Sequence, residues 1–155
     1  MHKVFALLLG LGLATSLAQA QPAHTTAPDA FRHIPDLELA RLSTGPKTLT
    51  LGTLTDHENF YVLVAGRSGP GEVEVHEHWA DYMVIQQGEA EFTSGGTVTG
   101  MHDTAPGERR GGTITGGKVV QLKAGDFLMV PAGQPHVTMI KPGSPFRAIV
   151  FKQRQ

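Results

Sequence analysis

A chain of 155 residues with 13 Lys and Arg against 14 Asp and Glu has room for one domain with an ordinary core, and no charge bias that would favour nucleic acid. It contains no cysteine, which excludes disulfide staples, a thiol nucleophile and a thiolate metal site. A small molecule or another protein remains as the expected partner.

The chain opens on a pattern of export. Lys3 gives a short positive region, Val4 to Leu13 an apolar stretch, and Ala18-Gln19-Ala20 the small residues read by a signal peptidase. The stretch is short for a permanent membrane helix, so residues 1–20 are expected to be a cleavable signal peptide, with an uncleaved anchor as the alternative. The mature chain would then begin at Gln21, with no membrane attachment, and be periplasmic or secreted. Losing one lysine and no acid takes its formal net charge from −1 to −2. Residues 21–46 form an N-terminal arm and entry segment, flexible through residue 33 and rich in Pro, Ala, Thr and His. Within it, Ile34 to Leu42 fits a short helix or a strand.

From residue 47 to 155 the pattern is all-β. Runs rich in β-branched and aromatic residues, separated by Gly, Pro, Asn or Asp, predict strands at Thr48–Leu54, Phe60–Ala65, Val73–His78, Tyr82–Gln87, Ala90–Thr93, Val119–Leu122, Phe127–Val130, His136–Ile140 and Arg147–Phe151. So many short strands point to a sandwich or closed barrel. Gly95-Gly96-Thr97-Val98-Thr99-Gly100 recurs as Gly111-Gly112-Thr113-Ile114-Thr115-Gly116, as in the two arms of a hairpin with its tip at Met101–Arg110. That hairpin could be a flap offering His102, Asp103, Glu108, Arg109 or Arg110 to a ligand, or a solvated edge hairpin.

His76 and His78 flank Glu77 at a strand end, and strand geometry places i and i+2 on one face, about 6.5–7 Å apart at Cα. Two imidazoles so placed can converge on one ion. A third, His136, follows the turn-rich corner Pro131-Ala132-Gly133-Gln134-Pro135. At these residues the chain resembles the cupin superfamily in both of its motifs. The first reads Gly71, His76, His78, Asp81, six residues, Gly88; the second reads Gly125, Pro131, Gly133, His136 at the family spacings. The resemblance implies a cupin-type jelly roll (double-stranded β-helix) with one metal ion inside, held by His76, His78, His136 and Asp81. It implies no particular reaction, because this fold hosts many.

Three departures stand out. The acid is Asp81 rather than Glu. Only Trp79 and Ala80 separate it from His78, where three or four residues are usual in the family. Ile140 replaces the family's Asn. Strict alternation from His76 turns Asp81 outward, so a bulge or bend at Trp79-Ala80 is expected to re-aim it. Asp81 then either binds the metal or hydrogen-bonds a liganding histidine. His24, His33 and His57 read as exposed loop residues. Trp79, Tyr82, Met83, Phe92, Phe127 and Met129 read as core or barrel lining. Glu74 shares the strand parity of His76 and is either an acid or base at the barrel interior or an exposed or paired carboxylate.

No nucleophile–base pair is visible and no catalytic side chain is assigned. One divalent ion with open positions, Zn, Cu, Fe, Mn or Ni, suits an enzyme of oxygenase, isomerase or lyase type acting on a small molecule. The alternative is a non-catalytic exported binder of a small ligand or of the metal itself. A homodimer is expected.

Overall fold

The computed structural model describes residues 31–45, 47 and 49–155. The expected signal peptide and most of the arm lie outside the described residues. The ambiguous entry segment is a helix, α1 (Asp36–Leu42). Its acids Asp36 and Glu38 fall in the first turn and Arg41 in the last, the polarity that suits a helix dipole. Arg147 reaches from the sheet to pair with Asp36.

Thirteen strands follow: β1 (Leu49–His57), β2 (Phe60–Arg67), β3 (Glu74–His76), β4 (Trp79–Gln87), β5 (Glu89–Ser94), β6 (Thr97–Thr99), β7 (His102–Ala105), β8 (Glu108–Arg110), β9 (Thr113–Thr115), β10 (Lys118–Lys123), β11 (Phe127–Val130), β12 (His136–Met139) and β13 (Phe146–Arg154). Every strand expected from the sequence is present, and the hairpin adds four short ones. The strands form a five-stranded sheet in the order β1-β2-β13-β4-β11 and a six-stranded sheet in the order β10-β5-β12-β3-β8-β7. All pairings are antiparallel. The expected jelly roll is the fold found.

Inward residues of both sheets meet in one core. Tyr61, Ile85, Ala148 and Val150 come from the first sheet, Phe92, Ala90 and Leu122 from the second. Ile140 is buried in this core, an apolar role for the position at which the family carries Asn.

The Gly/Thr echo is a real two-stranded ribbon, with Val98 opposite Ile114. Thr97, Thr99, Thr113 and Thr115 are exposed and β7 is the edge of the six-stranded sheet, so this is a largely solvated edge hairpin from which Glu108 alone is fully buried among the described residues of β6 to β9. Beyond it the chain bends back at glycines in the left-handed region. At Gly112 (φ 78°), an added Cβ would stand 2.2 Å from the Thr99 carbonyl oxygen. Tip strand β8 then docks on β3, with Glu74 opposite Arg110 and His76 opposite Glu108, and β7 pairs along its other side. The insertion thus extends the six-stranded sheet and brings two charged side chains to the barrel interior.

Candidate metal centre

The geometry of β3 decides which side chains face inward. Glu74 and His76 both point into the barrel and are buried, at 8% and 4% exposure. The strand ends there. Glu77 and His78 form a turn, and β4 begins at Trp79 in the opposite sheet. Backbone hydrogen bonds fix this corner: Glu77 N–H donates to the Gly107 carbonyl at 2.8 Å, and Gly133 N–H to the His76 carbonyl at 2.8 Å.

This arrangement corrects two expectations. The reversal falls at Glu77-His78, not at Trp79-Ala80, and is a sheet-to-sheet turn rather than a bulge. His78 is therefore exposed, with its ring beside Gly107, and is not brought to the interior group. The inward pair is Glu74-x-His76. Four residues then separate His76 from Asp81, the spacing of the family motif, and six more lead to Gly88.

Asp81 starts from the facing sheet. It is 2% exposed, and its Oδ2 lies 3.7 Å from the Nε2 atoms of both His76 and His136. His136 stands at the start of β12, opposite Glu74 in register, with its ring 5.3 Å from that of His76 and stacked on Phe92 at 5.8 Å. The Pro-rich corner before it is pinned by Gly95 N–H to the Pro135 carbonyl and by the Gln134 amide to Ser94 Oγ.

Both imidazoles are oriented from outside the group. His76 Nδ1 lies 2.5 Å from Glu108 Oε2, and His136 Nδ1 lies 3.1 Å from the Gln134 carbonyl. A carboxylate and a carbonyl only accept, so each Nδ1 carries a proton and each Nε2 is the ring nitrogen left to face the group. His76 Nε2 is buried without a hydrogen-bond partner. Ligand atoms of Glu74, His76 and His136 all lie within 4.8 Å of one another, with Glu74 Oε2 3.5 Å from His76 Nε2. Donors on one tetrahedral ion at about 2.1 Å are about 3.4 Å apart, so the group fits a small divalent ion with little movement.

Cations surround the carboxylates. Arg67 and Arg110 both donate to Glu74 Oε1, at 2.8 and 2.9 Å, leaving Oε2 toward His76. Lys152, buried on β13 across from Asp81, pairs with its Oδ1 and leaves Oδ2 toward the imidazoles. Burial pushes the Glu74 carboxyl upward, but its contact with His76 and the charges of Arg110 and Arg67 prevail and hold it well below its ordinary value of 4.5. Burial and Lys152 lower His76, yet Glu108, Glu74 and Asp81 outweigh them and raise it above 6.5. Burial dominates at His136 and lowers it, against Asp81 and Glu74.

In front of the group is a cavity of about 60 Å³, apolar at Leu49, Leu51 and Leu63 and charged at Arg67, Arg110 and Lys152. Sequence reasoning gave Glu74 two alternative roles, an interior acid or base and an exposed or paired carboxylate, and passed over Lys152. The available signal was parity: Ala148, Val150 and Lys152 alternate inward along β13, as Leu63, Ala65 and Arg67 do along β2. Of the hairpin tip, Glu108 and Arg110 reach the site. His102, Asp103 and Arg109 are exposed, with Arg109 3.4 Å from Asp103.

No family model matches the sequence, and the search of curated proteins returns no match. Solved structures do match. A Klebsiella pneumoniae protein described as having a double-stranded β-helix domain is 22% identical, with 74% of this chain and 85% of that one covered at a TM-score of 0.54. The cupin domain of Cnp3 from Schizosaccharomyces pombe is 17% identical, covering 73% and 66% at 0.53. A Bacillus halodurans protein is 12% identical, covering 86% and 87% at 0.59. At these identities the likeness is one of fold.

Proposed function

We propose that this chain, a cupin by fold, holds one divalent metal ion on Glu74, His76 and His136, with Asp81 facing the same ion, and acts on a small molecule in the cavity before it. The observation that carries this reading is the orientation of the imidazoles. Each has its Nδ1 proton tied to an outside acceptor and its Nε2 3.7 Å from Asp81 Oδ2, where a neutral ring offers it to an ion. A bound ion would supply Lewis acidity, polarising an oxygen of the small molecule. The chain's own residues do the rest. Glu108 and the Gln134 carbonyl hold the rings, Arg67 and Arg110 keep Glu74 ionised, Lys152 fixes Asp81, and the leucine wall limits water.

Export is part of the proposal and rests on residues 1–20 alone. A chain folding after general secretion would meet zinc and copper, the stronger competitors for nitrogen and oxygen donors, so these are favoured over iron, manganese and nickel. The cavity size favours a second reading, a binder without turnover, since about 60 Å³ is far below the roughly 300 Å³ and above of ordinary small-molecule sites.

Metal analysis of native exported protein tests the first reading. About one equivalent of zinc or copper is expected, and almost none in His76→Ala or His136→Ala. A chain that takes up no divalent ion from micromolar solutions would overturn it.

A further inference from the structure

The cavity wall carries more positive than negative side chains. Arg67, Arg110 and Lys152 line it against Glu74 and Asp81. The three cations are largely buried, with side-chain exposures of 11%, 22% and 5%. Two guanidiniums share a single carboxylate oxygen, Glu74 Oε1. Among the described residues it is their only hydrogen-bond or ion-pair partner, although each guanidinium has five N–H donors. Lys152 likewise contacts only Asp81 Oδ1. Of these groups Lys152 Nζ is buried without a hydrogen-bond partner, which is costly, and an anion would satisfy it while also accepting from the guanidinium donors that Glu74 leaves unused. Leu49, Leu51 and Leu63 give the same wall an apolar part.

We propose that the cavity binds a small carboxylate anion with a short apolar body, its carboxylate held by the unused donors of Arg67, Arg110 and Lys152. The inference rests on this cavity being the working site of the proposed function, and it names the class of molecule. Size sets the limit: at about 10–15 Å³ for each water-sized position, 60 Å³ admits about four to six non-hydrogen atoms. Propionate and propionamide have that size, match in shape and differ in charge.

Isothermal titration of the full chain with each, metal-free and with one equivalent of Zn²⁺, is the test. Propionate is expected to bind at least about tenfold tighter than propionamide in both forms. Arg67→Gln and Lys152→Gln should each weaken propionate about tenfold and leave propionamide unchanged, while Arg67→Lys keeps most of the preference. Equal affinity for the two probes overturns the proposal, as does wild-type propionate affinity in folded Arg67→Gln and Lys152→Gln. Zinc stoichiometry on the same samples separates the two readings. Propionate preference without zinc uptake refutes the metal centre and supports the anion cavity. Zinc uptake without propionate preference does the reverse.

Discussion

Replacing Glu108 by alanine probes the link between the inserted ribbon and the centre. Glu108 Oε2 lies 2.5 Å from His76 Nδ1, with both residues buried at 6% and 4% exposure. Among the described residues Glu108 is the only acceptor of that N–H, so alanine leaves it unsatisfied inside the barrel, which costs about 1–3 kcal/mol. The ring also loses what fixes its tautomer, so zinc affinity is expected to fall about 10–100-fold. Glu108→Gln keeps an oxygen acceptor but not its charge, and should lose roughly half as much stability as alanine. Urea unfolding of the metal-free chain reads the first effect, and zinc competition with a chromophoric chelator the second. The exposed neighbour Arg109, paired with Asp103, is the control, and Arg109→Ala should leave both unchanged. Wild-type zinc affinity and urea midpoint in Glu108→Ala would refute the claim that β8 orients His76.

Lys152→Met leaves the Asp81 carboxylate buried without its ion pair, and breaking such pairs costs about 3–5 kcal/mol. Zinc should recover much of that loss by taking over as the partner of Asp81, so its thermal stabilisation of the variant should exceed that of the wild type; an equal or smaller shift contradicts this. Acid should destabilise the metal-free chain. Glu74, held below its ordinary 4.5, contributes stability that is present above pH 4.5 and lost as pH falls through its lowered value. His136, held below 6.5, adds to the loss, because the unfolded chain takes up that proton first as pH falls below 6.5. His76 opposes it, its contribution being complete below 6.5 and lost as pH rises through its raised value. Urea midpoints over about pH 3–8 should therefore drop on the acid side, and Glu74→Gln should flatten that limb; an unaltered acid limb in the variant counts against the assignment.

Strands and core were legible because alternation and turn residues are local signals. Phe60–Ala65, Tyr82–Gln87 and Arg147–Phe151 bury one face against a partner sheet, and breakers bound them. His136 was legible for the same reason, since its corner of Pro and Gly sets its direction. The inward-facing pair on β3 lies two residues earlier than the expected His76-x-His78. Glu74, His76 and His78 share one parity, and alternation alone does not say where a strand stops. Glu77-His78 turns without glycine or proline, held by contacts to Gly107 and Gly133 that lie far along the chain. The short interval between His78 and Asp81 was the one local clue. Glu108 and Arg110 depend on the docking of an insertion by strand pairing to β3, which periodicity within the insertion does not carry. Lys152 followed the inward parity of Val150, but a charged residue at a strand end reads by default as solvated.

Zinc affinity of the wild type beside Glu74→Gln, His76→Ala, His136→Ala and His78→Ala tests the central claim most directly. One site is expected in the wild type. It should be weakened at least about a hundredfold in each of the first three variants and unchanged in His78→Ala, whose ring is exposed on the turn. Loss of zinc in His78→Ala together with wild-type affinity in Glu74→Gln would contradict the account, placing the ion on His76-x-His78 instead of Glu74-x-His76.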